Sequence, residues 1–70
     1  MGTANLHLRI RAFRKLKGHT QQDLAELLGV SIAVLGQIER GTRKPSGLMM
    51  QRIAQVLAVD LEELNPPASS

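Results

Sequence analysis

Residues 20 to 41, TQQDLAELLGVSIAVLGQIERG, constrain the fold of this chain more than any other stretch, because their spacing describes two short helices joined by a tight turn. Thr20 offers a hydroxyl oxygen to the free backbone N–H groups of a first helical turn. Asp23, three residues on, stands in for the Glu or Gln that reaches back in a capping box. Leu24, Ala25 and Leu28 then form an apolar stripe of helical period, narrow enough for a helix lying across a small core. Gly29 ends that helix, since glycine takes a sharp left-handed turn without a Cβ clash. Val30 plugs the turn, and Ser31 caps a second helix whose inward face is Leu35 and Ile38 and which Gly41 closes. Ala25 falls where the two helices must cross, so a larger side chain there pushes them apart.

Ile10, Phe13 and Arg14 precede this segment, Thr20, Gln21, Leu24, Ala25, Gly29, Val30 and Ser31 lie within it, and Ile38, Glu39, Arg40 and Gly41 end it, followed by Lys44, Pro45 and Ser46. In these positions, from about Arg9 to Asn65, the chain resembles the Cro/CI-type phage repressors, the xenobiotic-response-element family of bacterial regulators. TQQDLA and IERG at this separation are specific, whereas Gly29 alone is weak. The resemblance implies an all-α fold, a compact five-helix bundle of the lambda-repressor-like DNA-binding type with a helix-turn-helix formed by the second and third helices. It also implies a sequence-specific transcriptional regulator of double-stranded DNA, a repressor acting on a two-fold symmetric operator without a cofactor.

Seventy residues make one small domain, which buries only about 60% of its unfolded surface, and short helices suit that limit. We place the domain at residues 1–65 and read 66–70, PPASS, as a disordered tail. The absence of cysteine excludes a disulfide framework and a thiolate metal site. With no signal peptide and no apolar run of membrane length, the expected location is the cytoplasm. The opening MGTANL also lacks the Ser or Thr at its sixth position that myristoylation requires.

The net charge is +3, but its distribution is more informative than its sum. Residues 1–22 carry Arg9, Arg11, Arg14, Lys15 and Lys17 with no acid, and Arg40, Arg43, Lys44 and Arg52 form a second basic group. A basic flank on each side of a helix-turn-helix suits phosphate contact, because each neutralised phosphate releases a counterion. Taken without the motif, the same charges describe a solubilising surface equally well. Asp60, Glu62 and Glu63 gather where a last helix begins, at the positive end of its dipole.

Five helices and no strand are expected. The first runs from about Asn5 to Lys17 and ends at Gly18, burying Ile10 and Phe13 with Leu6. The motif supplies the second and third. GTRKPS is a loop by composition, with Pro45 and Ser46 at the next helix start. The fourth helix covers about Gly47 to Ala58 on Met50, Ile53, Ala54 and Leu57. Asp60 and Glu63 form a capping box for the fifth, with Leu61 and Leu64 inward and Pro66 as the stop.

In a helix-turn-helix the second helix enters the major groove by its N-terminal half, which exposes Ile32, Ala33, Gly36 and Gln37, with Ser31 at the edge. The Gln37 amide gives and takes a hydrogen bond at once, matching adenine N7 and N6, and by its place it resembles a base-reading position of the family. Ile32 and Ala33 depart from the polar residues usual there; they fit a thymine methyl, or a surface made for another partner. Gly36 departs too, since mid-helix glycine costs about 1 kcal/mol against alanine. It either admits close approach of DNA or is simply tolerated. Gln21 and Gln22, at the N-terminus of the first motif helix, are candidates for phosphate, Gln21 the stronger by resemblance. Arg40, Arg43 and Lys44 are the others.

The family pattern pairs Arg14 with Glu39, a structural ion pair between helices rather than a base contact. His19 stands where the family has an apolar residue and reads as a partly buried spacer. His7 and His19, twelve residues apart, make no metal spacing, and no nucleophilic triad or phosphate loop recommends an enzyme. No catalytic or metal-binding residue is assigned.

Leu48, Met49, Ile53 and Val56 widen the apolar surface of the fourth helix, which is either more deeply buried than one core requires or meets a second chain. One such domain contacts half a site, so a homodimer reading half-sites roughly 34 Å apart is expected. The rival reading is a protein-interaction module of antitoxin or anti-repressor type, docking through Ile32, Ala33 and Val34 or through the Leu48 and Met49 strip.

Overall fold

The helix starts and stops that the sequence spells out locally organise the structure. A computed structural model describes residues 5–66, which form α1 (Leu6–Leu16), α2 (Gln21–Leu28), α3 (Ile32–Arg40), α4 (Gly47–Leu57) and α5 (Leu61–Leu64), with no strand among the described residues. Residues 67–70 of the expected tail lie outside them. Asn5 and Lys17, expected inside α1, are its flanking caps.

Thr20 Oγ1 accepts the Asp23 N–H at 3.0 Å and Asp23 Oδ2 accepts the Thr20 N–H at 3.0 Å, the reciprocal pair of a capping box. The Thr20 backbone N–H, and after it the Thr20 hydroxyl, hold the Asp23 carboxyl below its ordinary value. Ser31 accepts from the Val34 N–H and Ser46 from the Met49 N–H, each at 3.1 Å. At α5 the Glu63 carboxylate takes the Asp60 N–H at 3.1 Å.

Helix α2 ends on Gly29 at φ +75°, which turns the chain into α3. Helix α4 ends on Ala58 in the same left-handed region, at φ +57°. A Cβ there costs about 1–2 kcal/mol, of which glycine returns part to the flexibility of the unfolded chain. Ala58→Gly is therefore expected to stabilise the fold by about 0.5–1 kcal/mol, read as a higher urea midpoint at unchanged slope.

The core is built from one face of each helix: Ile10 from α1, Leu24, Ala25 and Leu28 from α2, Leu35 and Ile38 from α3, Met50, Ile53, Ala54 and Leu57 from α4, and Leu64 from α5. Ala25 is buried and α2 packs on α3, as the crossing requires. Phe13, Val30, Met49 and Val56 are half-buried against this core. The wide apolar surface of α4 is thus mostly interior; Leu48 projects, 70% exposed. Leu61, expected inward, is 40% exposed, because it is the first residue of a one-turn helix and Leu64 alone reaches the core.

A buried polar bridge fixes α3 against α1. Arg14 Nε and Nη2 donate to Glu39 Oε2 and Oε1 at 2.7 and 3.1 Å, and Arg14 Nη1 donates to the His19 carbonyl at 2.8 Å. Both residues are buried and neither side chain leaves a buried nitrogen or oxygen without a partner.

Candidate nucleic-acid interface

The Ser31 cap and the Leu35 and Ile38 anchors orient α3 so that its opposite side faces outward. Ser31, Ile32 and Ala33 are exposed at its N-terminal end and Arg40 at its C-terminal end, with Gln37 half-buried between them. Val34, counted in the outward apolar surface, packs partly on the core.

Gly36 is placed differently from the expectation. It is buried rather than displayed. Arg40, one turn along, folds back over it, and a Cβ on Gly36 would stand 3.2 Å from Arg40 Nη1. The missing side chain of Gly36 makes room for the exposed arginine that covers it.

Gln37 does not stand alone either. Its Oε1 accepts from Arg43 Nε at 2.8 Å. Its backbone carbonyl accepts the Thr42 and Arg43 N–H groups at 3.0 and 3.2 Å and the Thr42 hydroxyl at 3.2 Å. The 41–46 loop is thereby folded onto the end of α3.

Gln21, the stronger of the two glutamine candidates by sequence, is half-buried, and its Nε2 donates to Glu39 Oε1 at 3.1 Å. Its place beside the Arg14–Glu39 bridge explains this, since a carboxylate oxygen facing one guanidinium nitrogen still has a lone pair to fill. Its amide therefore extends the bridge with one N–H and keeps the second N–H for another acceptor. Gln22 is exposed in the first turn of α2, and Arg40, Arg43 and Lys44 are exposed at the end of α3 and in the loop after it.

Two of the basic residues are engaged elsewhere, which charge counting did not reveal. Arg9 donates through Nη2 and Nε to the Glu63 carbonyl, at 2.6 and 3.2 Å, and ties α5 to α1. Arg52 Nη2 donates to the Leu28 carbonyl at 3.3 Å and serves the end of α2. A cation near the last carbonyls of a helix is favoured by its dipole, so these positions were open to prediction once the packing partner was known.

The His7 ring lies against Gly41, where a Cβ would stand 3.1 Å from the imidazole, and His19 is half-buried behind α2. No group of three His, Cys, Asp or Glu residues able to hold a metal occurs among the described residues, and no helix there is long and apolar enough to cross a membrane.

An α3 packed on α2 and α1 behind a glycine turn, with α4 and α5 packed on the rest of the bundle, defines a helix-turn-helix protein with the lambda-repressor-like five-helix architecture. Residues 10–64 match the family described as helix-turn-helix, and the chain belongs to that family, in its Cro/CI-type branch of transcriptional regulators. It is 56% identical over 59 residues to YazB of Bacillus subtilis, an uncharacterized HTH-type transcriptional regulator, across 84% of this chain and 86% of that one. Its fold is similar to the restriction-modification controller protein C.AhdI of Aeromonas hydrophila, with a TM-score of 0.82 and 32% identity over 89% of this chain and 94% of that one. It is also similar to SinR, the master regulator for biofilm formation, in its structure in complex with DNA, with a TM-score of 0.78 and 35% identity over 84% and 95% of the two chains.

Proposed function

We propose that this regulator binds a two-fold symmetric operator as a homodimer, inserting α3 of each copy into the major groove of one half-site, and that it represses by occupying the operator. The observation that carries this reading is the exposed start of α3, its cap Ser31 with Ile32 and Ala33, on a helix whose other end and following loop expose Arg40, Arg43 and Lys44. The apolar Ile32 and Ala33 suit a thymine methyl, and Arg40, Lys44 and the Gln22 end of α2 suit the phosphate backbones. The likeness to SinR, solved in complex with DNA, supports the DNA reading. Leu48, 70% exposed on α4, supports a protein-docking surface instead, and it is also a candidate for the dimer contact.

Selection of bound sequences from a random duplex pool, followed by affinity measurement across salt, separates these readings. The expected consensus has two inverted halves with centres roughly 34 Å apart. With about two phosphate-neutralising cations per copy, Arg40 and Lys44, affinity for it falls about a hundredfold between 50 and 200 mM salt. A pool that yields no consensus, with affinity changing less than about tenfold across that range, removes the DNA reading in favour of protein docking. A single unrepeated half removes the dimer.

A further inference from the structure

The sequence assigns Gln37 and Arg43 separate tasks, one at a base edge and one at a phosphate. The geometry joins them. The same short turn grips Gln37 at both ends, through the Thr42 and Arg43 backbone N–H groups on its carbonyl and through Arg43 Nε on its side-chain oxygen. An unheld glutamine amide rotates about its last, roughly two-fold torsion and exchanges donor for acceptor, so its reading of a base edge is ambiguous. A guanidinium donates only. Facing Arg43 at 2.8 Å, the amide must present its oxygen, which leaves the NH2 as the end turned away from the loop.

We propose that Arg43 is a positioning residue for base recognition: it fixes the donor and acceptor ends of the Gln37 amide, so that the operator preference at the base read by Gln37 belongs to the pair. This rests on the DNA reading of α3. The Gln37 oxygen keeps a second lone pair and its nitrogen two hydrogens, so the held amide still offers one donor and one acceptor to a base. Holding it before DNA arrives also removes part of the ordering entropy from the binding step. A phosphate ligand has no need of this contact; it requires only charge and reach.

The test compares the wild-type chain with Gln37→Ala, Arg43→Ala and the double variant on the selected operator and on operators altered symmetrically at the base pair whose preference Gln37→Ala abolishes. Circular dichroism checks that each variant is folded, and Arg43 is an exposed loop residue. The expected result is that Arg43→Ala reduces the preference at that base pair about tenfold, within the range of one good base contact. It adds nothing to that loss in the Gln37→Ala background, and it leaves the salt slope unchanged. The proposal is overturned if Arg43→Ala weakens all the operators by one common factor and lowers the slope by about 1.8 per dimer, the signature of one lost phosphate contact in each copy. It is overturned equally if Gln37→Ala leaves every base preference intact. A wild-type chain that selects no sequence overturns the DNA reading itself, which the first arm shows before any variant is compared.

Discussion

Arg14→Ala is expected to destabilise the chain by about 3–5 kcal/mol, the usual effect of removing one partner of a buried ion pair. Glu39 is only 4% exposed and keeps a single bond, from the Gln21 amide, once the arginine is gone. A domain of this size has roughly 4–10 kcal/mol of total stability, so the variant sits at the edge of unfolding. The sign of the effect does not make the bridge a large net source of stability, because bringing both charges out of water offsets most of their attraction. The pair Arg14→Met with Glu39→Leu is accordingly expected to recover most of the loss, and urea titration of wild type, both single variants and the double variant reads this directly. A loss below about 1 kcal/mol for Arg14→Ala would show that water reaches Glu39 and that the bridge is not buried in solution.

What the bridge does is geometric: it fixes the end of α3 against α1 and, through Gln21, against the start of α2. The family resemblance pointed to the Arg14–Glu39 pair, but the third member was hidden, since nothing local distinguishes a glutamine that completes a carboxylate from one left free for a phosphate. The same contrast runs through the molecule. Thr20 with Asp23, Ser31, Ser46 and Gly29 were readable because each follows a rule spanning a few residues. The core faces of α1 to α4 were readable because helical period alone sorts them.

The site was less legible because its side chains are long and reach across elements. Arg40 covers Gly36 from one turn away, and Arg43 reaches Gln37 from the next loop. Periodicity assigns a direction to a Cβ and says nothing of what a long arginine arm then covers. Charge counting failed at Arg9 and Arg52 for a related reason: a cation bonded to a helix carbonyl and a cation facing solvent are identical in a sequence. The basic surface available to a partner is therefore smaller than the composition implies: Arg40, Arg43 and Lys44 are exposed around the end of α3, and Arg11, Lys15 and Lys17 along and just past α1.

On the proposed reading, the exposed N-terminal end of α3 is the place where one substitution separates folding from binding. Ile32→Glu is expected to lower operator affinity about a hundredfold or more while leaving the melting temperature nearly unchanged. Ile32 is the first residue of α3 and 49% exposed, so little core packing is lost. A carboxylate in a first helical turn gains about 0.3–1 kcal/mol from the helix dipole, which offsets the lost apolar contact. In a major groove the same carboxylate replaces a methyl contact and faces two phosphate backbones, and such like-charge juxtaposition costs several kcal/mol. Ile32→Gln, similar in size and neutral, separates the two causes: it should lose only the apolar contact, a deficit confined to operators with thymine at the matching position. The penalty of the glutamate is electrostatic, so it should shrink as salt rises, since screening at 1 M reduces the Debye length to about 3 Å. Anisotropy titrations of the three proteins at low and high salt decide the matter. A glutamate that leaves affinity untouched would mean that this end of α3 never enters the groove, and a loss that persists unchanged at high salt would mean that it meets an apolar partner instead.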